Sequence, residues 1–432
     1  MFFKIYTFGC KVNQYESEYI RHLMIGAGYE YCEKDEDCDI FIINSCTVTA
    51  VSDKKCRQLI HKLRRQSNNA IILLCGCMSQ AHPDKQADFH DCNIVIGNTD
   101  HTVIPLYISE FIKTGKQIVE INPHDREKEP FEKCKVSNFS ERTRAYIKIE
   151  DGCSRFCSYC IIPYARGRVR SKTLEDIRDE AKLIASGGYK EIVLTGINLS
   201  LYGTDIGADL CDAVEAVSEA KGIERIRLGS LEPEYLDESV LGRLSQIKEF
   251  CPQFHLSLQS GCDKTLKDMN RNYTSSEYAT IVSNIRRFWS NPSITTDVMV
   301  GFAGESDEDF ESSKSFVESI GFAKVHVFPY SRREGTKAWD MSGHLTNSVK
   351  TQRAAIMGEA VEKSRKIFLQ SQIGKESFVL FETKAKGGYF GYTENYTPVL
   401  VYTDDDIRGE ILKVKIRSCD GELAEAEVIY GP

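Results

Sequence analysis

Three cysteines crowd one short loop, and their spacing limits what can surround them. Cys153, Cys157 and Cys160 stand in the stretch Asp151–Pro163, separated by three and then two residues. Thiolates this close together can converge on one metal centre. A structural zinc site is closed by four ligands, whereas three cysteines on an iron–sulfur cluster leave one iron open. The sequence supplies no fourth ligand nearby, so the spacing favours an iron–sulfur loop over a zinc knuckle.

An aromatic residue, Tyr159, stands directly before the last of these cysteines. CxxxCxxC with an aromatic in this place resembles the signature of the radical S-adenosylmethionine (SAM) enzymes. That resemblance implies a [4Fe–4S] cluster on Cys153, Cys157 and Cys160 whose open iron binds SAM, so that the cofactor carries the radical chemistry. No side chain of the protein is predicted as catalytic. A reductant, flavodoxin-like or similar, is an expected partner.

Length and composition bound the remaining possibilities. At 432 residues, 41% of them hydrophobic and 27% charged, the chain suggests two or three soluble domains. The amino terminus lacks the pattern of a signal peptide, and no apolar run approaches the roughly 20 residues that span a bilayer. We therefore expect a cytoplasmic protein without a membrane partner. Its 16 cysteines are then expected as reduced thiols or metal ligands, with ordinary buried thiols at Cys32, Cys38, Cys56, Cys75 and Cys92.

The first 120 residues alternate short apolar runs with helical stretches. Strands are predicted at 3–8, 39–44, 70–75 and 93–96, and helices at 15–27 and 50–66. This alternation indicates a small doubly wound domain with a parallel sheet. Ligands of such sheets lie at the carboxyl ends of the strands, where Cys10, Cys46 and Cys77 fall. A second three-thiolate site is one reading of these positions, and unrelated buried cysteines are the other.

Three sequence blocks extend the resemblance. TFGCKVNQYESE at 7–18, NSCTV at 44–48 and GCMSQ at 76–80 resemble the blocks of the methylthiotransferase amino-terminal domain. The resemblance implies that Cys10, Cys46 and Cys77 hold a second [4Fe–4S] cluster. A helix, a short strand and a linker are predicted between 101 and 140.

The region 140–371 is predicted as the radical SAM domain. Strands are expected at 144–149, 190–195, 224–229, 253–258, 294–300 and 322–328, with helices between them such as 172–187 and 274–289. Six βα units are too few for an eight-stranded barrel, so an open, partial (β/α)6 barrel is expected. Motifs after these strands and in the cluster loop give the expected SAM contacts: Tyr159, Gly196, Asn198, Ser230, Glu232 and Gln259.

The carboxyl-terminal residues 372–432 follow a helix predicted at 346–370. Short strands are expected at 376–382, 396–402, 410–416 and 424–430, and this regular spacing indicates a small antiparallel β-barrel. The segment resembles the TRAM domain, an RNA-binding appendage. Its charged and aromatic residues are candidate RNA contacts, namely Lys384, Lys386, Tyr389, Phe390, Tyr392 and Tyr396. A second basic group is predicted on the helix at 50–66.

The opening block at 7–18 and GYTENY at 391–396 most resemble the methylthiotransferases that act on N6-threonylcarbamoyladenosine at position 37 of tRNA. The resemblance implies 2-methylthio transfer to adenine C2, with the tRNA anticodon stem-loop as partner. A cation is then expected for the substrate carboxylate, with candidates Arg166, Arg168 and the run Ser331–Arg333. Isopentenyl-adenosine in tRNA and a ribosomal-protein aspartate remain open as substrates. An RNA-binding protein with structural or redox-sensing clusters remains open as a different class.

Overall fold

The computed structural model describes residues 1–83, 89–124, 129–139, 142–385 and 387–429. It confirms the predicted α/β fold class: an amino-terminal parallel sheet, an open set of parallel strands with helices, and a closed carboxyl-terminal β-barrel. No helix in the described part of the chain is long and apolar enough to cross a membrane.

The amino-terminal sheet has six parallel strands in the order β2-β1-β3-β4-β5-β6. Its central strands are buried on both faces because helices pack on either side, each over its own apolar cluster. The elements are β1 (Phe2–Thr7), α1 (Lys11–Gly26), β2 (Glu30–Tyr31), β3 (Ile40–Ser45), α2 (Ala50–Gln66), β4 (Ile71–Gly76), α3 (Cys77–Ala81), β5 (Ile94–Ile96), α4 (Ile104–Thr114) and β6 (Ile118–Glu120).

One pair of cysteines departs from the sequence prediction. Cys32 and Cys38 are joined by a disulfide, with their Cα atoms 6.2 Å apart. The expectation that all cysteines are reduced thiols or metal ligands is therefore wrong for this pair, because the turn after β2 brings the two side chains together. Cys56, Cys75 and Cys92 are free and buried, as expected.

All six predicted strands of the middle region are present, in sheets of order β11-β10-β7 and β12-β13-β14-β15. Every neighbouring pair in these two sheets is parallel, so the strand carboxyl ends meet on one side. The elements are β7 (Arg144–Lys148), β8 (Glu150–Asp151), α5 (Ile162–Arg166), β9 (Arg170–Ser171), α6 (Leu174–Ser186), β10 (Glu191–Thr195), α7 (Leu210–Ser218), β11 (Arg225–Leu228), β12 (Ser230–Leu231), α8 (Glu238–Ser245), β13 (Gln253–Leu256), α9 (Asp263–Asp268), α10 (Ser275–Phe288), β14 (Ser293–Val300), α11 (Asp307–Ile320), β15 (Lys324–Pro329) and α12 (Asn347–Gln370).

The carboxyl-terminal barrel closes in the order β16-β17-β18-β20-β19. It consists of β16 (Glu376–Ala385), β17 (Gly388–Thr393), β18 (Pro398–Tyr402), β19 (Ile411–Cys419) and β20 (Ala424–Val428). The sequence prediction missed β17, because glycine usually marks a turn. Here a Cβ on Gly388 would lie 2.0 Å from the Val401 carbonyl oxygen, so glycine allows the close strand approach of a small barrel.

Candidate metal centres and cofactor cleft

The three cysteines of the amino-terminal sheet lie at the carboxyl ends of neighbouring strands. Cys10 follows β1, Cys46 follows β3 directly, and Cys77 begins α3 after β4. Cys46 and Cys77 are buried, whereas Cys10 is exposed. Gly9 has a φ of +98°, and a Cβ there would lie 2.7 Å from the Cys46 sulfur. Glycine at this position therefore lets the loop of Cys10 approach Cys46.

The charges of these thiols also act on one another. Burial raises the pKa of the Cys77 thiol to about 12, and the charges of Cys46 and Cys10 add to the rise, while Arg166 opposes it. Burial likewise raises the pKa of Cys46, to which the charge of Cys10 contributes. These thiols are therefore protonated in the metal-free protein. Binding of a metal would displace the protons, because cysteine ligates as the thiolate.

The loop of Cys153, Cys157 and Cys160 connects β8 to α5. Gly152, at a φ of +84°, allows the loop to start because a Cβ there would lie 1.9 Å from the Arg168 carbonyl oxygen. Backbone hydrogen bonds then fix the loop, from Cys153 N–H to the Gly167 oxygen and from Cys160 N–H to the Cys157 oxygen, both 3.0 Å. Burial raises the pKa of Cys153 to about 11 and that of Cys160 to about 12.

Two side chains from elsewhere in the domain donate to sulfurs of this loop. Arg271 Nη1 lies 3.3 Å from the Cys157 sulfur, and Asn198 Nδ2 lies 3.6 Å from the Cys153 sulfur. Arg271 also pairs with Glu232. Sequence analysis missed the role of Arg271, since an arginine after a helix carries no local signal of a sulfur partner more than a hundred residues away.

The six residues expected to contact SAM are distributed around the mouth of the strands. Tyr159 is half-buried, with its ring edge-on to Phe302 at 6.3 Å, and Gly196 lies in the turn after β10. Asn198 and Gln259 are buried. Ser230 is exposed at the start of β12, and one oxygen of the Glu232 carboxylate pairs with Arg271.

Buried polar atoms without partners mark the cleft. Within the described residues, Asn198 Oδ1, Gln259 Oε1 and Glu150 Oε1 have no hydrogen-bond partner. Gln259 also holds a φ of +64°, a strained conformation that proteins keep mainly where structure or function requires it. Glu150 Oε2 accepts the Asn198 backbone N–H at 2.7 Å. Burial raises the pKa of Glu150 to about 8.

The donor sets of both trios fit iron–sulfur clusters. Among the described residues, no group of three or more His, Cys, Asp or Glu side chains is arranged to hold a single metal ion. A cubic cluster makes a different demand, because each cysteine binds a separate iron. The unpartnered oxygens of Asn198 and Gln259 in the adjoining cleft fit a polar cofactor such as SAM.

The arginines expected to meet a substrate carboxylate have other partners. Arg166 is fully buried and bonded to Glu16, Asp151, Asn13 and Cys77, so its prediction as a substrate contact is wrong. The prediction is also wrong for Arg333, which is buried and pairs with Asp53 of α2 at 2.8 Å. Both predictions failed because each arginine has an acidic partner in the amino-terminal domain, Glu16 for Arg166 and Asp53 for Arg333, far away in sequence. Exposed side chains remain at Arg168 and at Arg332, whose guanidinium lies 4.3 Å above the Trp339 ring.

The aromatic residues proposed for RNA stacking divide into two groups. Tyr392 and Tyr396 pack at the junction with the middle domain, where the Arg144 guanidinium lies 5.4 and 5.2 Å from their ring centres. Tyr389 is buried in the barrel and bonds Asp406 at 2.8 Å. The prediction that these three rings contact RNA is therefore wrong, because they make structural contacts within the protein. Phe390 is half-buried and Lys384 exposed, and Lys386 lies outside the described residues.

The predicted basic group on α2 is exposed except for one member. Arg64 donates to the backbone oxygens of Asp91, Asn68 and Ala70, which ties α2 to the following loops. The remaining cations reach solvent and are Lys54, Lys55, Arg57, Lys62 and Arg65.

Comparisons with known families agree with this geometry. The radical SAM superfamily model matches residues 147–317, and the model of uncharacterized protein family UPF0004 matches residues 3–97. A solved structure of the radical SAM methyltransferase TsrM from Kitasatospora setae, with cobalamin and a [4Fe–4S] cluster bound, is similar at a TM-score of 0.55 and 12% identity, covering 76% of this chain and 71% of TsrM. The fold and the cysteine loop thus define a radical SAM enzyme.

Curated relatives narrow the class. Threonylcarbamoyladenosine tRNA methylthiotransferase MtaB of Aquifex aeolicus is 37% identical over 91% of this chain and 95% of its own length. MtaB of Thermotoga maritima is 40% identical over 91% and 89%. The tRNA-2-methylthio-N(6)-dimethylallyladenosine synthase of Pelotomaculum thermopropionicum is 33% identical over 96% and 94%. The chain belongs to the radical SAM tRNA methylthiotransferase family, whose cofactors are SAM and [4Fe–4S] clusters.

Proposed function

We propose that this chain methylthiolates adenine C2 of N6-threonylcarbamoyladenosine at position 37 of tRNA. In the product, a carbon–sulfur bond to a methylthio group replaces the C2 hydrogen. The adenine must leave the stack of the anticodon loop to reach the cleft, which costs least in a single-stranded loop. The anticodon stem-loop is therefore the proposed partner, together with a one-electron reductant.

The proposed substrate rests on the names of the relatives and on their percentage identities to this chain. Relatives named for threonylcarbamoyladenosine are 34% to 40% identical to this chain, and relatives named for dimethylallyladenosine are 33% or 34% identical.

Each cysteine trio is assigned one cluster in this proposal. Cys10, Cys46 and Cys77 would hold an auxiliary cluster, and Cys153, Cys157 and Cys160 the radical cluster. When bound, these clusters and SAM supply the methyl group and the radical that removes the C2 hydrogen. The chain's own residues orient them: Arg271 and Asn198 donate to sulfurs of the radical loop, and the unpartnered oxygens of the cleft offer hydrogen bonds to SAM.

Lys11 is the cation we assign to the threonylcarbamoyl carboxylate. It begins α1 directly after Cys10 and is accessible to solvent, although the protein around it still desolvates its ammonium group. Desolvation lowers the pKa of Lys11 to about 8, and repulsion from Arg144 and Arg227 adds to this effect. A carboxylate bound here would offset that repulsion, whereas a neutral isopentenyl group would not.

Matched substrates test the proposal directly. Reconstituted enzyme should methylthiolate an anticodon stem-loop that carries threonylcarbamoyl-adenosine at position 37 and leave an otherwise identical isopentenyl-adenosine stem-loop unmodified, as measured by mass spectrometry of nucleosides. Equal modification of both, or modification of the second alone, would refute the substrate while leaving the reaction class intact. Transfer RNA from a strain lacking the gene should lack the 2-methylthio form and retain its precursor.

A further inference from the structure

Arg166 is a fully buried guanidinium between the two cysteine trios. It ends α5, six residues after Cys160, and its side chain is among the largest in the described structure with no solvent exposure. A buried charge requires close partners of opposite charge or strong acceptors. Its partners reveal what this arginine does.

The side chain of Arg166 reaches from the middle domain into the amino-terminal domain. Its Nε lies 3.1 Å from the Cys77 sulfur. Nη2 donates to Asn13 Oδ1 at 2.9 Å and to Glu16 Oε2 at 3.0 Å, and Asn13 Oδ1 lies 3.5 Å from the Cys10 sulfur. Arg166 thus touches one proposed ligand of the auxiliary cluster directly and a second through Asn13.

The same residue is tied to the radical loop. Nη1 donates to Glu16 at 2.5 Å and to both carboxylate oxygens of Asp151 at 3.2 Å. The next residue, Gly167, accepts the Cys153 backbone N–H at 3.0 Å. A short path therefore runs from Cys153 through the Arg166 segment to the Cys77 sulfur.

The guanidinium has no capacity left for a substrate. Arginine carries five N–H donors in a fixed fork, and acceptors from Cys77, Asn13, Glu16 and Asp151 surround all three nitrogens. Glu16 also pairs with Lys148 at 2.7 Å, so its carboxylate is shared between two cations. The hydrogen bonds of Nη1 and Nη2 therefore fix the direction in which Nε donates to the Cys77 sulfur.

We propose that Arg166 is a positioning residue for the auxiliary cluster: its hydrogen bond to the Cys77 sulfur raises the reduction potential of that cluster and fixes it relative to the radical loop. The inference rests on the proposed assignment of Cys10, Cys46 and Cys77. Reduction adds negative charge to a cluster, and hydrogen bonds to its sulfurs and nearby positive charge stabilise the reduced form.

Removing Cys153, Cys157 and Cys160 together, by substitution with alanine, isolates the auxiliary cluster for potentiometric titration by electron paramagnetic resonance. In that background, Arg166→Gln removes the charge and should shift the midpoint potential to more negative values. Glu16→Gln perturbs the same buried network but removes a negative charge, so the midpoint should shift to less negative values. A purely structural role gives no reason for opposite signs.

The outcomes separate the two proposals. A background variant that binds no iron would refute the auxiliary cluster itself. If the background binds about four irons per chain and the two substitutions leave its potential unchanged, or move it in the same direction, the inference about Arg166 is overturned. Should Arg166→Gln lose its cluster, the shift in Glu16→Gln decides the question alone: a less negative midpoint supports the inference, and an unchanged or more negative one refutes it.

Discussion

Tyr392 and Tyr396 stack with ring centroids 4.2 Å apart and planes 9° apart, and Tyr396 OH accepts a hydrogen bond from Arg144 Nη1 at 3.0 Å. The stack joins the β-barrel to the first strand of the radical SAM domain. Two neighbouring arginines complete the junction: Arg225 donates to the Tyr392 carbonyl and Arg227 to the Thr393 carbonyl. The orientation of the barrel is therefore set by cation–π and backbone contacts.

Replacing Tyr396 should lower the free energy of unfolding and should have little direct effect on RNA affinity. Tyr396→Ala removes the stack and the bond from Arg144, at an expected cost of about 2–3 kcal/mol in the free energy of unfolding. Tyr402→Ala is the matched control, because this β18 side chain is 60% exposed, and should change stability by about 0.5 kcal/mol or less. Denaturant unfolding and stem-loop affinity measure the two effects. An unchanged stability with weakened RNA binding in Tyr396→Ala would restore the stacking role.

Iron content tests the two trios together. Anaerobically reconstituted protein should carry about eight irons per chain, from two four-iron clusters. Substituting Cys153, Cys157 and Cys160 with alanine should leave about half, since the other trio lies in a separate domain. Stoichiometric zinc with little iron in protein isolated anaerobically would contradict the assignment.

Single cysteine substitutions should separate the two sites. Cys46→Ala should still cleave SAM to 5′-deoxyadenosine, because the cleaving site lies in the other domain, but should form no methylthiolated product. Cys157→Ala should abolish cleavage, since a methyl group cannot replace a ligating thiolate. Chromatography of 5′-deoxyadenosine under anaerobic, reducing conditions gives the result, and substantial cleavage by Cys157→Ala would show that the radical site is misassigned.

The charge of Lys11 should distinguish the two nucleosides. Lys11→Gln should raise the KM for the threonylcarbamoyl stem-loop about tenfold, the value of roughly 1.4 kcal/mol for one lost charged contact. Lys54→Gln removes an exposed charge from α2 and serves as the control for general attraction to RNA. If both substitutions raise KM equally and the effect disappears at high salt, Lys11 contributes only nonspecific attraction.

Glu150 should make the stability of the cluster-free chain depend on pH. Its pKa in the folded state is raised to about 8, chiefly by burial, while the unfolded side chain titrates near its ordinary value of about 4.3. The folded state therefore holds this proton more tightly. Its contribution to stability is full below about pH 4 and is lost as pH rises to about 8. Glu150→Gln should flatten that part of the profile in thermal unfolding, and an unaltered slope would contradict the shift.

Sequence and structure agree where local patterns decide the outcome. The strands were predictable because runs such as IFII at the start of β3 are apolar, and the convergence of Cys10, Cys46 and Cys77 could be anticipated from strand ends. The arginines were not predictable. Arg166 and Arg168 are the same type of residue only two positions apart. Yet Arg166 is fully buried and Arg168 is exposed. Most partners of Arg166 are distant in sequence, including Glu16 150 residues away and Cys77 89 residues away, and no local pattern reveals them.

The three cysteines of the amino-terminal sheet differ in burial, so their site is accessible from one side. Cys46 and Cys77 are buried, whereas Cys10 is exposed, so under the proposed assignment iron and sulfide delivered to the apoprotein would meet Cys10 first. Dioxygen would reach the proposed cluster from the same side. Cluster assembly and oxidative damage would therefore both begin at the exposed side of the site. Alkylating reagents should modify Cys10 first and so compete with cluster assembly.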